Sequence, residues 1–160
     1  MTFNNSRKII RIRIRLFMMT VLFFIYIALA YAFRVIKFPF LGLDDNIWTL
    51  IIAFVYIFLL FLPMILNYQY VSFSDEGDSI VIRYFTTGII GGRKNSLEIK
   101  KSNFAGYRTE KKYFGWSKSI ILFQKAGQGM AKYPPVHVSA LSRSQLSSLF
   151  TTLDNYIPKT

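Results

Sequence analysis

The chemically richest stretch of the chain is Tyr107 to Lys118, YRTEKKYFGWSK. Here Arg108, Lys111, Lys112 and Lys118 alternate with Tyr107, Tyr113, Phe114 and Trp116. The cations offer an attraction that salt screens, and the rings offer an apolar contact that salt leaves intact. Such a mixture suits binding. The segment reads as two strands joined by a loop containing Gly115, so Phe114 and Trp116 either form an interaction surface or turn inward to complete the core. Other candidate chemistry reads as structural. His137 is the only histidine and alternates with Val136 and Val138; a general base needs an orienting partner, and no triad or ligand set accompanies it. Gly91-Gly92-Arg93-Lys94 lacks the G-x-x-x-x-G-K-[ST] spacing of a phosphate-cradling loop and lies between strands, which predicts a plain turn. Asp75, Glu76 and Asp78 lack the later glutamate of a calcium loop, with Thr86 and Thr87 in its place, and predict an acidic turn.

Composition narrows the chemistry further. There is no Cys and one His, which excludes disulfides, zinc–thiolate sites, iron–sulfur clusters, thiol nucleophiles and multi-histidine metal sites. The expectation is a protein without enzymatic activity, metal or cofactor. Hydrophobic residues make up 52% of the chain, far too many for a disordered protein, and 20 Lys+Arg against 8 Asp+Glu give a net charge of +12.

The apolar residues are concentrated. Leu16 to Phe33 and Ile47 to Leu66 carry no charge over 18 and 20 residues. As helices they would extend roughly 27 and 30 Å, the thickness of a bilayer's hydrocarbon core. Neither shows the polar face of a soluble helix. Ala28-Leu29-Ala30 and Ala30-Tyr31-Ala32 have the form of signal-peptide cleavage sites, but the apolar stretch before them is longer than a usual signal core. A transmembrane helical hairpin is therefore expected over residues 1–66. Arg7, Lys8, Arg11, Arg13 and Arg15 precede the first span, while Arg34 and Lys37 balance Asp44 and Asp45 in the connection. The positive-inside rule then places both termini in the cytoplasm. Next to a span, the alternation Arg11-Ile12-Arg13-Ile14-Arg15 serves headgroup attraction and orientation rather than nucleic-acid binding. Asp45 or Asn46 is positioned to cap the second helix, and Trp48 to anchor it at the interface. Neither span holds an Asp, Glu, Lys, Arg or His, which argues against an ion pump or proton relay.

From Asn67 onward the pattern becomes short strands bounded by turns, predicting a second domain over residues 67–160. Strands are expected at Gln69–Ser74, Ser79–Phe85, Ser96–Lys100, Phe104–Thr109, Lys118–Gln124 and Val136–Ala140. Turns are expected at 75–78, 88–92 and 126–129. Pro134 and Pro135 suit a sheet edge. Ser142 with Gln145 forms a capping box, and Leu146, Leu149, Phe150, Leu153 and Ile157 give the following helix one apolar face, ended by Pro158.

Strands of QYVSFSDEGDSIVIRYF and SIILFQ, followed by VHVSALSRSQLSSLFTTLDNYI, resemble a pleckstrin-homology-like (PH-like) domain. More specifically, the chain is similar to small bacterial membrane proteins with two transmembrane helices followed by a bacterial PH-type domain. The resemblance implies a curved antiparallel sheet or barrel capped by the C-terminal helix, within an α+β membrane protein. It implies a binding or scaffold module rather than an enzyme. The function expected is a membrane-anchored adaptor at the cytoplasmic face of the inner membrane, binding a protein partner or serving as accessory subunit of a larger complex. The alternative is a sensor that binds anionic lipid headgroups directly. Phosphoinositide recognition by a basic loop near the first strands is not implied, because that turn is acidic here.

Overall fold

The computed structural model describes residues 1–87, 92–127 and 129–157. Thr2–Asn4 form a strand (β1), and Ser6–Ile27 form a helix (α1) that continues through a π-helical turn at Ala28–Ala32. Asn4 Oδ1 accepts from the Ser6 backbone N–H (3.1 Å), and the Asn5 carbonyl accepts from the N–H groups of Lys8 and Ile9. These bonds start the helix well ahead of Leu16. Arg7, Lys8, Arg11, Arg13 and Arg15 thus sit on its first turns rather than on a segment before it.

The chain divides into two compact units. One is Ile10–Pro63. It contains most of α1 and of a second helix, α2 (Asp45–Ile65), both long and apolar enough to cross a membrane. Along their uncharged stretches, hydroxyl groups pair the two helices. Thr20 meets Tyr56 at 3.1 Å, and Thr49 meets Tyr26 at 2.9 Å and Tyr31 at 2.7 Å. The Phe23 ring stacks on Tyr56 with centroids 4.5 Å apart. In the connection, Trp48 Nε1–H donates to the Phe40 carbonyl at 2.8 Å.

The other unit joins Met1–Ile9 to the residues from Met64 onward. The first residues therefore group with the β-rich part, although composition alone divides the chain at residue 66. Two antiparallel sheets form this unit, in place of one closed barrel. The first has the order β1-β2-β3-β4, with β2 at Gln69–Ser74, β3 at Ser79–Thr86 and β4 at Asn95–Lys100. The second contains β5 (Phe104–Lys112), β6 (Ser117–Ala126), β7 (Gly129–Lys132) and β8 (Val136–His137), with β7 and β8 both pairing with β6. The sheets separate at a 3-10 turn, Lys101–Asn103, where Lys101 Nζ donates to the carbonyls of Asp75 and Gly77, each at 2.7 Å. That bond pair holds the turn against the β2–β3 corner, and β5 leaves it to pair with β6. Pro134 and Pro135 lack N–H groups and fall between β7 and β8. The strand expected over Val136–Ala140 is confined to two residues, and the hairpin signal at 126–129 is met by the pairing of Ala126 with Gly129, which opens β7, a strand that residue alternation does not mark.

Asn5 ties the chain's start to this unit. It is buried, and its side chain donates to the Gln69 carbonyl (2.9 Å) and accepts from the Val71 N–H (2.9 Å). One amide thereby continues the β1–β2 ladder at the point where the backbone turns into a helix. The acidic corner is similarly tied: Asp75 is bonded by the Met1 amino group and by Tyr156 Oη (3.2 Å), and Glu76 accepts from Thr2 Oγ1 at 2.6 Å. Burial raises the Asp75 carboxyl, but these bonds and the charges of the amino group and Lys101 outweigh it and hold it below its ordinary value.

The core is built from alternate strand residues: Val71 and Phe73, Ile80 and Ile82, Leu97 and Ile99, Ile120 and Leu122. A C-terminal helix, α3 (Arg143–Tyr156), completes it. Ser142 Oγ accepts from the Gln145 N–H, and Gln145 Oε1 accepts from the Ser142 N–H, which closes the capping box. Leu149 and Leu153 are fully buried. Phe150, expected beside Leu149 in the lid, is only half-buried and stacks on Tyr107 with centroids 5.5 Å apart. Pro158 and the turn at 88–91 lie outside the described residues.

Candidate functional site

The stretch that stands out by its residue types is the hairpin of β5 and β6. Lys111 pairs with Lys118 and Lys112 with Ser117, so the turn between them is Tyr113–Trp116. The Trp116 N–H donates to the Tyr113 carbonyl at 3.1 Å and closes it. Three successive residues lie in the left-handed region: Tyr113 (φ 51°), Phe114 (φ 54°) and Gly115 (φ 89°). Glycine adopts this conformation freely, but for aromatic residues it costs about 1–3 kcal/mol each. Two rings are held in an unfavourable backbone, and neither contributes to the core in return. Phe114 is completely exposed (107%), Trp116 is 69% exposed and Tyr113 is 56% exposed. The inward-turned alternative is thereby excluded.

Strand pleating divides the cations between two faces. Lys111 and Lys118 stand directly opposite one another on one face, while Arg108 and Lys112 belong to the other. All four are exposed. Like charges directly opposite on neighbouring strands repel. Among the described residues none of the four makes an ion pair.

A groove of about 420 Å³ opens beside the hairpin, between β5 and α3. Its wall includes the consecutive strand residues Thr109, Glu110 and Lys111, together with Lys118; its floor includes Tyr107, Val138, Leu146 and Phe150. Tyr107 Oη donates to Asp154 at 2.8 Å. Burial, that bond and the carboxylate charge push the phenol up to about 12, so it stays a neutral donor. Sequence patterning does not reveal this groove, which is assembled from strand and helix residues far apart in the chain. The one signal available is the apolar face of α3, to whose edge Leu146 and Phe150 belong.

His137 is a part of the scaffold. Its N–H donates to Gln69 Oε1 at 2.9 Å, joining β8 to β2, and its Nδ1 is buried without a partner. Burial first, and the nearby charge of Lys112 second, lower its pKa and keep the ring neutral. Asp75, Glu76 and Asp78 do not converge; among the described residues no group of three His, Asp or Glu side chains is placed to hold a metal ion. Gly91 lies outside the described residues, and Gly92 N–H donates weakly to the Thr86 carbonyl at 3.4 Å.

Comparison of the chain with family models, curated proteins and solved structures finds no match. The functional reading is therefore carried by the site itself.

Proposed function

We propose that this chain is a non-catalytic, membrane-anchored adaptor with a PH-like domain, and that the β5–β6 hairpin is the surface by which it binds a protein partner. α1 and α2 would cross the inner membrane as a hairpin, with both termini and the β-rich unit in the cytoplasm. The observation that carries this reading is the outward placement of Tyr113, Phe114 and Trp116 at one turn. Aromatic side chains are the commonest anchors of protein interfaces, and contacts that bind strongly centre on a few such residues. The residue types argue against catalysis in the same direction: a single neutral histidine, no thiol, and no charge within the apolar runs Leu16–Phe33 and Ile47–Leu66. The four exposed cations around the turn favour a second reading, direct attachment to anionic lipid. Each Lys or Arg near such a surface contributes about 1 kcal/mol, and the effect fades within a Debye length.

The test places a photo-crosslinking amino acid at Phe114 in cells expressing the full chain. A discrete protein adduct that persists in high salt supports the adaptor. Adducts to lipid alone, lost when Lys111 and Lys112 are replaced by Ser, support the sensor. The absence of any adduct removes the hairpin as the functional surface.

A further inference from the structure

We propose that the groove between α3 and the β5–β6 hairpin holds the alkyl chain of a fatty acid, with its carboxylate between Lys111 and Lys118. The proposal concerns a site distinct from the exposed turn and stands apart from the adaptor reading.

Three observations lead to it. First, the groove is polarised. Pleating puts Tyr107, Thr109 and Lys111 on the face of β5 that continues into Lys118 of β6, directly opposite Lys111. Both lysines line the groove at the hairpin end. Side chains paired in this way stand about 5 Å apart at Cβ, so one small anion can meet both. Glu110 belongs to the other face of the strand and does not neutralise them. At the far end Tyr107 stacks on Phe150, and Tyr107 Oη is already bonded to the Asp154 carboxylate. An anion is thus attracted at the lysine end and repelled at the tyrosine end. Between Lys111 and Tyr107 the strand rises about 13 Å.

Second, what lies between those ends suits an alkyl chain better than a peptide. Val138, Leu146 and Phe150 supply apolar surface, and the space of about 420 Å³ falls within the range of small-molecule sites. β5 and β6 pair with each other along this stretch, so the backbone groups of their shared ladder are already satisfied. A peptide brings N–H and C=O groups that need partners of their own, whereas an alkyl chain brings none.

Third, the lysine end lies where this unit passes into α1. The Lys118 N–H donates to Ser139 Oγ at 2.8 Å, and Lys8 Nζ donates to the Leu141 carbonyl at 3.4 Å. Gln145 Nε2, one residue before Leu146, donates to the Asn4 carbonyl at 2.7 Å. Lys8 and Ile9 are the last residues before the helical unit. The charged mouth is therefore at the end of the β-rich unit that joins an apolar helix long enough to cross a membrane. Single-chain acids carried in a bilayer, with their carboxylates at its surface, are the ligands such a position meets.

The test uses the full chain in phosphatidylcholine nanodiscs, in mildly alkaline buffer that keeps the carboxylate ionised. The probe is dodecanoic acid with a diazirine at its terminal carbon, and mass spectrometry locates the photo-adducts. Adducts are expected at the tyrosine end of the groove, on Tyr107 or Phe150, beside those formed on α1 and α2 by probe dissolved in the bilayer. Replacing Lys111 and Lys118 by Ser should lower the groove adduct relative to the helix adducts by about three- to tenfold, the range for one or two exposed ion pairs. The methyl ester of the probe should give the same low ratio on the unaltered chain. Adducts on the helices alone overturn the site. A groove adduct equal for acid and ester, or unchanged in the lysine variant, overturns the placement of the carboxylate. Displacement of the groove adduct by an apolar peptide with a free C-terminal carboxylate, but not by unlabelled dodecanoic acid, assigns the groove to a protein terminus and overturns the fatty acid.

Discussion

The two units of this protein use the same kinds of residue in opposite ways. In the helical unit, Leu50 and Phe54 are each 71% exposed, and the surface of α2 is apolar nearly throughout. In the β-rich unit, Phe73, Ile99, Leu149 and Leu153 are completely buried. Polar groups are reversed in the same sense. Hydroxyls of Thr20, Thr49, Tyr26 and Tyr56 lie between the helices, whereas lysine and arginine cover the outside of the β5–β6 hairpin. A core held by the hydrophobic effect requires water outside. A helix pair whose outer surface is apolar suits the proposed membrane setting, where side-chain packing and interhelical hydrogen bonds would hold it together instead. The comparison shows that hydrophobicity alone does not identify a core: the direction in which the apolar side chains point does.

That contrast can be tested by truncating buried groups in each unit. The largest effect is expected at Leu149→Ala, which should destabilise the β-rich unit by about 2–5 kcal/mol. Pulse proteolysis of the full chain in detergent would measure it, and Leu50→Ala should leave the same measurement unchanged. If Leu149→Ala is silent, α3 is not part of the core. Next is Asn5→Ala, which leaves the Val71 N–H and the Gln69 carbonyl without their side-chain partner. A loss of about 2 kcal/mol is expected for unsatisfied buried groups, with faster amide exchange at Val71. Unchanged exchange would show that Asn5 does not hold the N-terminal strand in place. Within the helical unit, Thr49→Val removes the contacts to Tyr26 and Tyr31. Interhelical hydrogen bonds of this kind contribute about 0.6 kcal/mol on average in a membrane. A small decrease in resistance to unfolding by SDS is expected, and a loss as large as that of Leu149→Ala would contradict the contrast between the units.

The smallest effect concerns pH. His137 has a folded pKa below its ordinary value of 6.5, from burial and from Lys112. As pH falls below 6.5, the unfolded chain takes up a proton that the folded unit still refuses, so stability declines down to the folded pKa. Above 6.5 the histidine adds no slope. Thermal melts from pH 8 to pH 5 should show this decline, and His137→Gln should flatten it. An equal slope in that variant would assign the effect to carboxylates instead.

Some of this architecture is decided by local chemistry, and the sequence alone is enough to read it. The two apolar helices follow from uncharged runs of 18 and 20 residues. The capping box of α3 follows from Ser142 and Gln145, and the alternation of Ile80, Ile82 and Tyr84 marks the buried face of β3. The basic–aromatic composition of residues 107–118 likewise marks a candidate binding segment by residue type alone. What the sequence leaves open depends on groups distant in the chain. Three residues, Thr2–Asn4, have no periodicity to reveal a strand; their pairing with Ser72–Ser74 exists because Asn5 bonds to β2 across 64 and 66 positions. Whether Phe114 and Trp116 point inward or outward depends on the left-handed backbone of the turn, which residue type does not encode. The groove beside β5 requires α3 to pack against the sheet that β5 and β6 form. Helix starts and strand faces depend on neighbours within a few residues, whereas edges, grooves and exposed tips are defined by which distant surfaces remain uncovered once the core has formed.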